Sequence, residues 1–145
     1  MIQIRKCHAG DFHEVVALMR QLWPQKPFDA ERLRPAFDKA LVSESQTYLC
    51  ATDGDRVVGF GSVTWKNCLW HEGHLVFIDE LVVNNLYRNK GIGSRLLGEL
   101  VALARIKGCC RIELDCAFWR EETGAFAFYE KHKFTRRAFV FSRVL

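Results

Sequence analysis

The sequence has no apolar run approaching the ~20 residues that a helix needs to cross a bilayer. Its first residues, Met1–Ile4, lead into charged positions and not into the apolar core of a signal peptide. It has no C-x-x-C motif and no close cluster of cysteine and histidine; His71 and His74 share a segment without further partners, which favours solvated side chains over metal ligands. These absences predict a cytoplasmic protein with no membrane partner and no metal.

The six cysteines do not indicate a disulfide scaffold. A chain of 145 residues can bury roughly two thirds of its unfolded surface, so one core over residues 1–145 needs no covalent staples. We therefore expect a single domain with free thiols. Cys116 has no histidine near it in sequence that could activate it, so it is interpreted as a buried apolar residue and not as an acyl-enzyme nucleophile.

The net charge of +4 lies entirely in the second half of the chain. Residues 1–72 hold nine Lys or Arg and nine Asp or Glu, whereas residues 73–145 hold twelve and eight. The second half should therefore attract an anion. Its basic residues are scattered among acidic ones and form no recognisable nucleic-acid module. We expect a polyphosphate small molecule and no nucleic-acid partner.

Periodic patterns predict an α/β fold with elements in the order βααβββαβαβ. After a strand at residues 2–5, a first helix is ended by Pro24 and Pro27, and a second helix has Asp29 as its N-cap. An Asp-Gly turn over residues 53–55 joins the next two strands into a hairpin. The remaining elements are a strand over 74–83, a helix ending at Gly108, a strand over 111–117, a helix over 121–132 and a strand over 138–145.

A turn with two glycines separates the strand ending at Val83 from the helix that opens near Gly91. The first turn of a helix has unpaired N–H groups and a partial positive charge, and glycine lets a phosphate come close to that backbone. The P-loop pattern is absent, and a Rossmann fingerprint starting at Gly91 would require glycine where Leu96 stands. The turn is therefore a candidate anion site of another kind.

The turn resembles the signature of the GCN5-related N-acetyltransferases, Arg/Gln-x-x-Gly-x-Gly/Ala between a strand and a long helix. The resemblance extends over about residues 75–145. It implies the single-domain acyl-CoA N-acyltransferase fold, with a mixed central sheet flanked by helices, and an enzyme that uses acetyl-CoA as co-substrate. The matching positions are Arg88, Gly91 and Gly93 in the turn, and Ala125, Phe128, Tyr129, Glu130, Lys131 and Phe134 later.

The resemblance also implies roles for individual residues. The turn would bind the CoA pyrophosphate, and the end of the preceding strand would pair with the pantetheine arm. Tyr129 would face the sulfur and protonate the thiolate, which is uphill by roughly 2 kcal/mol at reference pKa values; without the resemblance it would be interpreted as a core aromatic. Two positions depart from the family pattern, Glu122 in place of asparagine and Lys133 in place of glycine. The residues implied in CoA binding are Leu81, Val82, Val83, Arg88, Asn89, Lys90, Gly91, Ile92, Gly93, Ser94, Glu122 and Tyr129.

Two carboxylates, Asp79 and Glu80, interrupt the apolar strand before the turn. Burial there should raise their pKa values towards neutrality, as a general base requires. Because side chains alternate along a strand, we expect the two to point to opposite faces. The resemblance implies an acidic residue at one of these positions, and we favour Glu80 as the base. Each acid, taken singly, could equally pair with a basic neighbour or cap a backbone group, and a water chain is a further alternative.

The function predicted from these patterns is acetyl transfer to a primary amine of a small molecule, by direct attack in a ternary complex. A polyamine and an aminoglycoside-like sugar both fit, and a protein or peptide amine is an alternative acceptor. A non-catalytic acyl-CoA-binding module would need the turn but neither Glu80 nor Tyr129. Since family members often dimerise through sheet edges or C-terminal strands, the resemblance also implies a homodimer.

Overall fold

The structure, a computed structural model, describes all residues 1–145 and has five strands and four α-helices. The strands are β1 (Ile2–Lys6), β2 (Gln46–Asp53), β3 (Arg56–Cys68), β4 (Gly73–Val83) and β5 (Ile112–Leu114). The helices are α1 (Phe12–Leu22), α2 (Ala30–Leu41), α3 (Ile92–Ile106) and α4 (Ala125–Lys131). None of these helices combines the length and the apolar character needed to cross a membrane. The chain divides into two compact units, residues 1–113 and 114–145.

The strands form one sheet in the order β1-β2-β3-β4-β5. The first four pair antiparallel with their neighbours in sequence. β5 follows the α3 crossover and lies next to β4, where the Val76 N–H donates to the Arg111 carbonyl at 3.0 Å. The predicted α/β fold with a mixed sheet is therefore confirmed.

Helices cover both faces of the sheet. Phe60 of β3 packs in one apolar cluster with Phe12 of α1. Its neighbours Gly59 and Gly61 face α3 instead, as alternation along a strand requires. A Cβ atom on Gly59 would lie 3.0 Å from the Leu96 Cδ1 atom, so glycine at this position lets α3 lie close to β3. This close packing determines where the N-terminus of α3 sits relative to β4.

Local chemistry explains the element boundaries in the first unit. The Asp29 Oδ1 atom accepts the Glu31 N–H at 2.9 Å, so the predicted N-cap of α2 is confirmed. Helix α1 ends at Leu22, just before Pro24. The turn between β2 and β3 has Gly54 at φ 58°, the left-handed region that glycine enters at little cost. The predicted hairpin is therefore confirmed as well.

The second unit departs from the predicted elements. The strand predicted over residues 111–117 is reduced to β5, and the helix predicted over 121–132 is shortened to α4, which a 3₁₀ turn over Phe118–Glu121 precedes. The strand predicted over residues 138–145 is wrong, because that segment forms no regular structure. Its alternating pattern suits a strand, but a strand also needs a neighbour that pairs with its peptide groups.

Candidate active site at the end of β4

The turn between β4 and α3 presents the N-terminus of a fifteen-residue helix. Gly91 caps α3 with φ 78°, and Asn89 precedes it with φ 60°, so the backbone reverses sharply here. The first hydrogen bond within α3 runs from the Arg95 N–H to the Gly91 carbonyl at 3.0 Å. The N–H groups of Ile92 and Gly93 therefore have no partner within the helix, and its positive end faces the turn.

Hydrogen bonds to α1, β2 and the end of β4 hold this turn in place. The Gln21 Oε1 atom at the end of α1 accepts the Asn85 N–H at 2.9 Å. The Tyr87 hydroxyl donates to the Asp53 carboxylate at 3.3 Å, and the Arg88 Nε–H donates to the carbonyl of Val83 at 3.1 Å. Sequence patterns did not indicate Gln21 or Asp53, because neither belongs to the turn and their proximity depends on the tertiary fold.

The residues predicted to bind CoA at the turn differ in what they can contribute. Arg88, Asn89 and Lys90 are exposed, and the Lys90 ammonium lies 5.3 Å from the centre of the Tyr87 ring. Two cations therefore stand beside the helix N-terminus. The Ile92 side chain is only 2% exposed and belongs to the core, so this residue can offer only its backbone.

A β-bulge places Asp79 as an extra residue in β4. Strand β3 pairs with β2 without interruption from Phe60 to Thr64, so β3 itself is regular there. The register between β3 and β4 nevertheless shifts by one residue, from Ser62 opposite Glu80 to Val63 opposite Ile78. The irregularity therefore belongs to β4, where a bulge locally breaks the alternation of side chains.

Because of this bulge, both carboxylates reach the same face of the sheet. Glu80 is hydrogen-bonded to the hydroxyl of Ser62, and Asp79 accepts a hydrogen bond from the Thr64 hydroxyl at 2.5 Å. Ser62 and Thr64 are two residues apart on a regular strand, so they share one face. The prediction that Asp79 and Glu80 point to opposite faces is therefore wrong.

The surroundings raise the pKa values of both acids. Burial raises the pKa of Glu80; the hydrogen bond from Ser62 opposes this, and the nearby Asp79 carboxylate adds to it. Partial desolvation of the carboxyl group also raises the pKa of Asp79, against the hydrogen bond from Thr64 and the positive charge of Lys66, although the side chain as a whole is open to solvent. Glu80 is half-buried and Asp79 is exposed. Of the two, Glu80 is thus the carboxylate better shielded from water.

Tyr48 of β2 completes a row of polar groups across the sheet. It lies opposite Ser62, which in turn lies opposite Glu80. Burial and the two carboxylates raise the pKa of Tyr48 to about 12, so it stays a neutral phenol. Its ring packs against Phe60, with ring centres 5.2 Å apart. Sequence patterns did not indicate Tyr48, since only the register of three strands brings it into this row.

Tyr129 belongs to the second unit, on helix α4. Its ring packs edge-on against Phe128 and Phe134, with ring centres 5.2 and 5.6 Å away. Burial raises the pKa of Tyr129 to about 12, with a further increase from Cys116. Burial also raises the pKa of the Cys116 thiol, which suits an inert side chain better than a nucleophile. Glu122 is exposed and follows the 3₁₀ turn.

The model of the Acetyltransferase (GNAT) family matches residues 12–134 of the chain. The chain belongs to this family. The GNAT protein is 28% identical over 141 residues to glucosamine 6-phosphate N-acetyltransferase 1 of Dictyostelium discoideum, covering 94% of this chain and 86% of that relative. It is 26% identical over 132 residues to thialysine N-epsilon-acetyltransferase of Bos taurus, with coverages of 83% and 77%. A transcriptional regulator from Bacillus halodurans C-125 shares the fold, with a TM-score of 0.89 at 24% identity over 100% of both chains.

Membership in the GNAT family establishes the type of enzyme. The protein is an acetyl-CoA-dependent N-acetyltransferase, as the sequence predicts. The matched region begins with α1 and ends at Phe134, so it contains every predicted site residue from Asp79 to Tyr129. It leaves out β1 and the C-terminal segment after Phe134.

Proposed function

We propose that this GNAT enzyme transfers the acetyl group of acetyl-CoA directly to a primary amine of a small molecule, in a ternary complex. The observation that carries the proposal is the bulge in β4. It brings two carboxylates with raised pKa values onto one face of the strand that leads into the candidate anion-binding turn. Such an arrangement suits an enzyme that must take a proton from an ammonium group next to a bound thioester.

The turn would hold the CoA pyrophosphate through the backbone from Arg88 to Ser94. Support comes from the N–H groups at the start of α3 and from the exposed cations of Arg88 and Lys90. The pantetheine arm would pair with Leu81, Val82 and Val83. The length of β5 supports this pairing, because β5 has three residues and β4 has eleven. The hydrogen bond between the two strands lies at Val76, away from the end of β4 that would face the pantetheine.

Glu80 would act as the base, with Asp79 beside it. An alkylamine has a pKa near 10.4, so forming the neutral nucleophile at pH 7 costs about 4.6 kcal/mol. The Glu80 carboxylate would first accept one proton from the ammonium group. The neutral amine would then attack the thioester carbonyl to form the C–N bond, and the adduct would expel the CoA thiolate as the C–S bond breaks. The second proton would leave the nitrogen to solvent as the amide forms. A backbone N–H near Val82 would donate to the carbonyl oxygen as it gains negative charge. Its raised pKa makes Glu80 a stronger base than an exposed carboxylate.

Tyr129 would donate a hydrogen bond, and then its proton, to the departing thiolate. With the pKa of Tyr129 at about 12, transfer to a thiolate of ordinary pKa near 8.5 costs roughly 5 kcal/mol. The raised pKa therefore makes Tyr129 a weaker acid than reference values imply. Its contribution should lie at the low end of general-acid effects, because water can also protonate the thiolate once it has left.

The acceptor would be a small molecule that carries further positive charge, such as a polyamine or an aminoglycoside-like sugar. Two carboxylates on one face attract ammonium groups and oppose an anionic substrate. Two relatives are named for glucosamine 6-phosphate and for thialysine; both acceptors carry an amine, but the phosphate of the first would be repelled there. A peptide amine is the competing acceptor class.

Thermal unfolding with CoA, acetyl-CoA and ATP tests the cofactor, and an amine screen tests the reaction. A ligand at a hundred times its Kd adds about 2.7 kcal/mol of stability, so CoA should raise the unfolding temperature and ATP should not. Acetylation should then appear with polyamines or aminoglycosides and fall in Glu80→Gln. No stabilisation by CoA would refute the proposal. Stabilisation without transfer to any amine would instead indicate an acyl-CoA-binding module.

We also propose that the enzyme forms a homodimer through residues 138–145. This segment has a strand-like pattern but forms no strand in its own chain, and its apolar side chains are exposed, with Phe139 at 75% and Phe141 at 96%. A second copy could pair with the exposed backbone and cover these rings. Light scattering should show a dimer for the full chain and a monomer for a chain ending at Arg137. A monomeric full chain would contradict the proposal.

A further inference from the structure

We infer that Ser62 is a positioning residue for Glu80: its hydroxyl holds the carboxylate in place and stabilises the ionised form. The inference rests on the proposed function, in which Glu80 accepts the amine proton. Ser62 itself is 0% exposed and so cannot touch a substrate. Its influence on the reaction must pass through the carboxylate that it contacts.

The Ser62 hydroxyl is committed to Glu80 by two hydrogen bonds. It donates to the Oε2 atom of the Glu80 carboxylate, and it accepts the Glu80 backbone N–H at 3.1 Å. A hydroxyl has a single proton to donate, so this proton is used on the carboxylate. One side chain thereby fixes both the backbone and the functional group of the same residue.

The β-bulge explains why a serine is needed at this position. Where a bulge interrupts the ladder between two strands, a peptide group loses its regular partner. At Glu80, directly beside the bulge, the Ser62 hydroxyl accepts the backbone N–H. Ser62 thus stabilises the bulge that brings Asp79 and Glu80 to one face, in addition to orienting the carboxylate of Glu80.

The charged and titratable groups around Glu80 determine the sign of the effect. Asp79 on β4 raises the pKa of Glu80, after burial and against the hydrogen bond from Ser62. Tyr48 on β2 is a neutral phenol, and Lys66 on β3 acts on Asp79. Removal of the Ser62 hydroxyl leaves burial and Asp79 unopposed, so Glu80 should lose its proton only at higher pH.

The test compares Ser62→Ala with Thr64→Val, which removes the equivalent hydrogen bond to Asp79. Two readouts apply: the acid limb of kcat/KM against pH, and the titration of the Glu80 carboxyl followed by ¹³C NMR without substrate. In Ser62→Ala both should move to higher pH together, by on the order of one pH unit. In Thr64→Val the acid limb should not move to higher pH. Without the Thr64 hydrogen bond Asp79 is less ionised, so its charge repels the Glu80 carboxylate less. Ser62→Cys keeps the size of the side chain with a weaker donor and should shift the same way as Ser62→Ala, even where the alanine variant folds poorly.

An unmoved acid limb in Ser62→Ala or Ser62→Cys, or an equal upward shift in Thr64→Val, overturns the role of Ser62. Failure of the proposed function would give a different experimental result. It would appear as a wild-type enzyme that acetylates no amine, or as full activity in Glu80→Gln. In either case the positioning role of Ser62 is refuted together with the proposed function. If the wild type is active and Glu80→Gln is impaired, the Ser62 variants test the positioning role alone.

Discussion

The close packing of α3 on β3 should make Gly59→Ala destabilising. The added Cβ atom would lie 3.0 Å from Leu96 Cδ1, 3.3 Å from Ala51 Cβ and 3.4 Å from Ile92 Cγ2. Leu96 is 0% exposed, so it cannot rotate into solvent to make room. Overpacking of this kind costs about 1–3 kcal/mol of unfolding free energy. For a chain of this size, each kcal/mol lowers the unfolding temperature by roughly 2–4 °C.

Gly98→Ala is the matched control, because it makes the same chemical change within α3, the helix that packs against Gly59. Gly98 lies in α3, is exposed, and has no atom within 4 Å of an added Cβ. Alanine is a better helix former than glycine by about 0.8–1 kcal/mol, so this variant should be more stable than wild type. The two substitutions should therefore shift the unfolding temperature in opposite directions.

The assay is thermal or urea unfolding of both variants, with and without CoA. Ile92 is both a contact of the added Cβ and the first residue of α3, so Gly59→Ala should also weaken the stabilisation by CoA. Gly98→Ala should leave that stabilisation unchanged. A neutral or stabilising Gly59→Ala would refute the close approach of α3 to β3, and with it the account of how the turn is placed.

Three further predictions concern single groups. Tyr129→Phe should lower kcat by about 100-fold with little change in unfolding temperature, because the ring packing is kept; an unchanged kcat would make Tyr129 a packing residue only. Gly91→Ala forces alanine to φ 78° and should cost about 1–2 kcal/mol and weaken CoA binding in a thermal-shift titration, whereas Gly108→Ala, at φ 75° beyond the opposite end of α3, should cost as much without affecting CoA. Asp11→Asn should cost about 2–3 kcal/mol in urea unfolding, because Arg5 donates to both Asp11 oxygens at 2.8 Å. Burial alone would raise the pKa of Asp11, but the hydrogen bonds from Arg5 and His8 hold this pKa below its usual value. The difference in unfolding free energy between Asp11→Asn and wild type should therefore be full above about pH 4 and shrink as the pH falls further. A difference that stays constant with pH would exclude the ion pair as its cause.

The parts of the fold that could be predicted are those that depend on neighbours in sequence. The Asp29 cap needs only the amide of Glu31, and the hairpin turn needs only Gly54 between two strands. The glycine turn before α3 is local in the same sense. Residues within a few positions of one another decide such features, so the pattern of one segment contains enough information.

The parts that could not be predicted depend on pairs of distant residues. The alternation rule predicted Asp79 and Glu80 on opposite faces. This prediction was wrong because the sequence of β4 does not show where its register against β3 shifts. Tyr48 joins the site through two cross-strand pairs, which the composition of β2 alone cannot reveal. The segment 138–145 has the pattern of a strand, but whether it forms one depends on a neighbour that its own sequence does not specify.

The bulge in β4 connects the binding of CoA with the chemistry. A regular β4 would send one of its two acids towards α3, into the apolar layer where Leu96 and Leu100 meet Gly59 and Gly61. A carboxylate there would have to stay protonated or find a cation, since burial of an unpaired charge is costly. The extra residue keeps both acids on the other face, while Val82 beyond the bulge still packs in the apolar core. One inserted residue thus lets a single strand carry a charged site and remain a central part of the sheet.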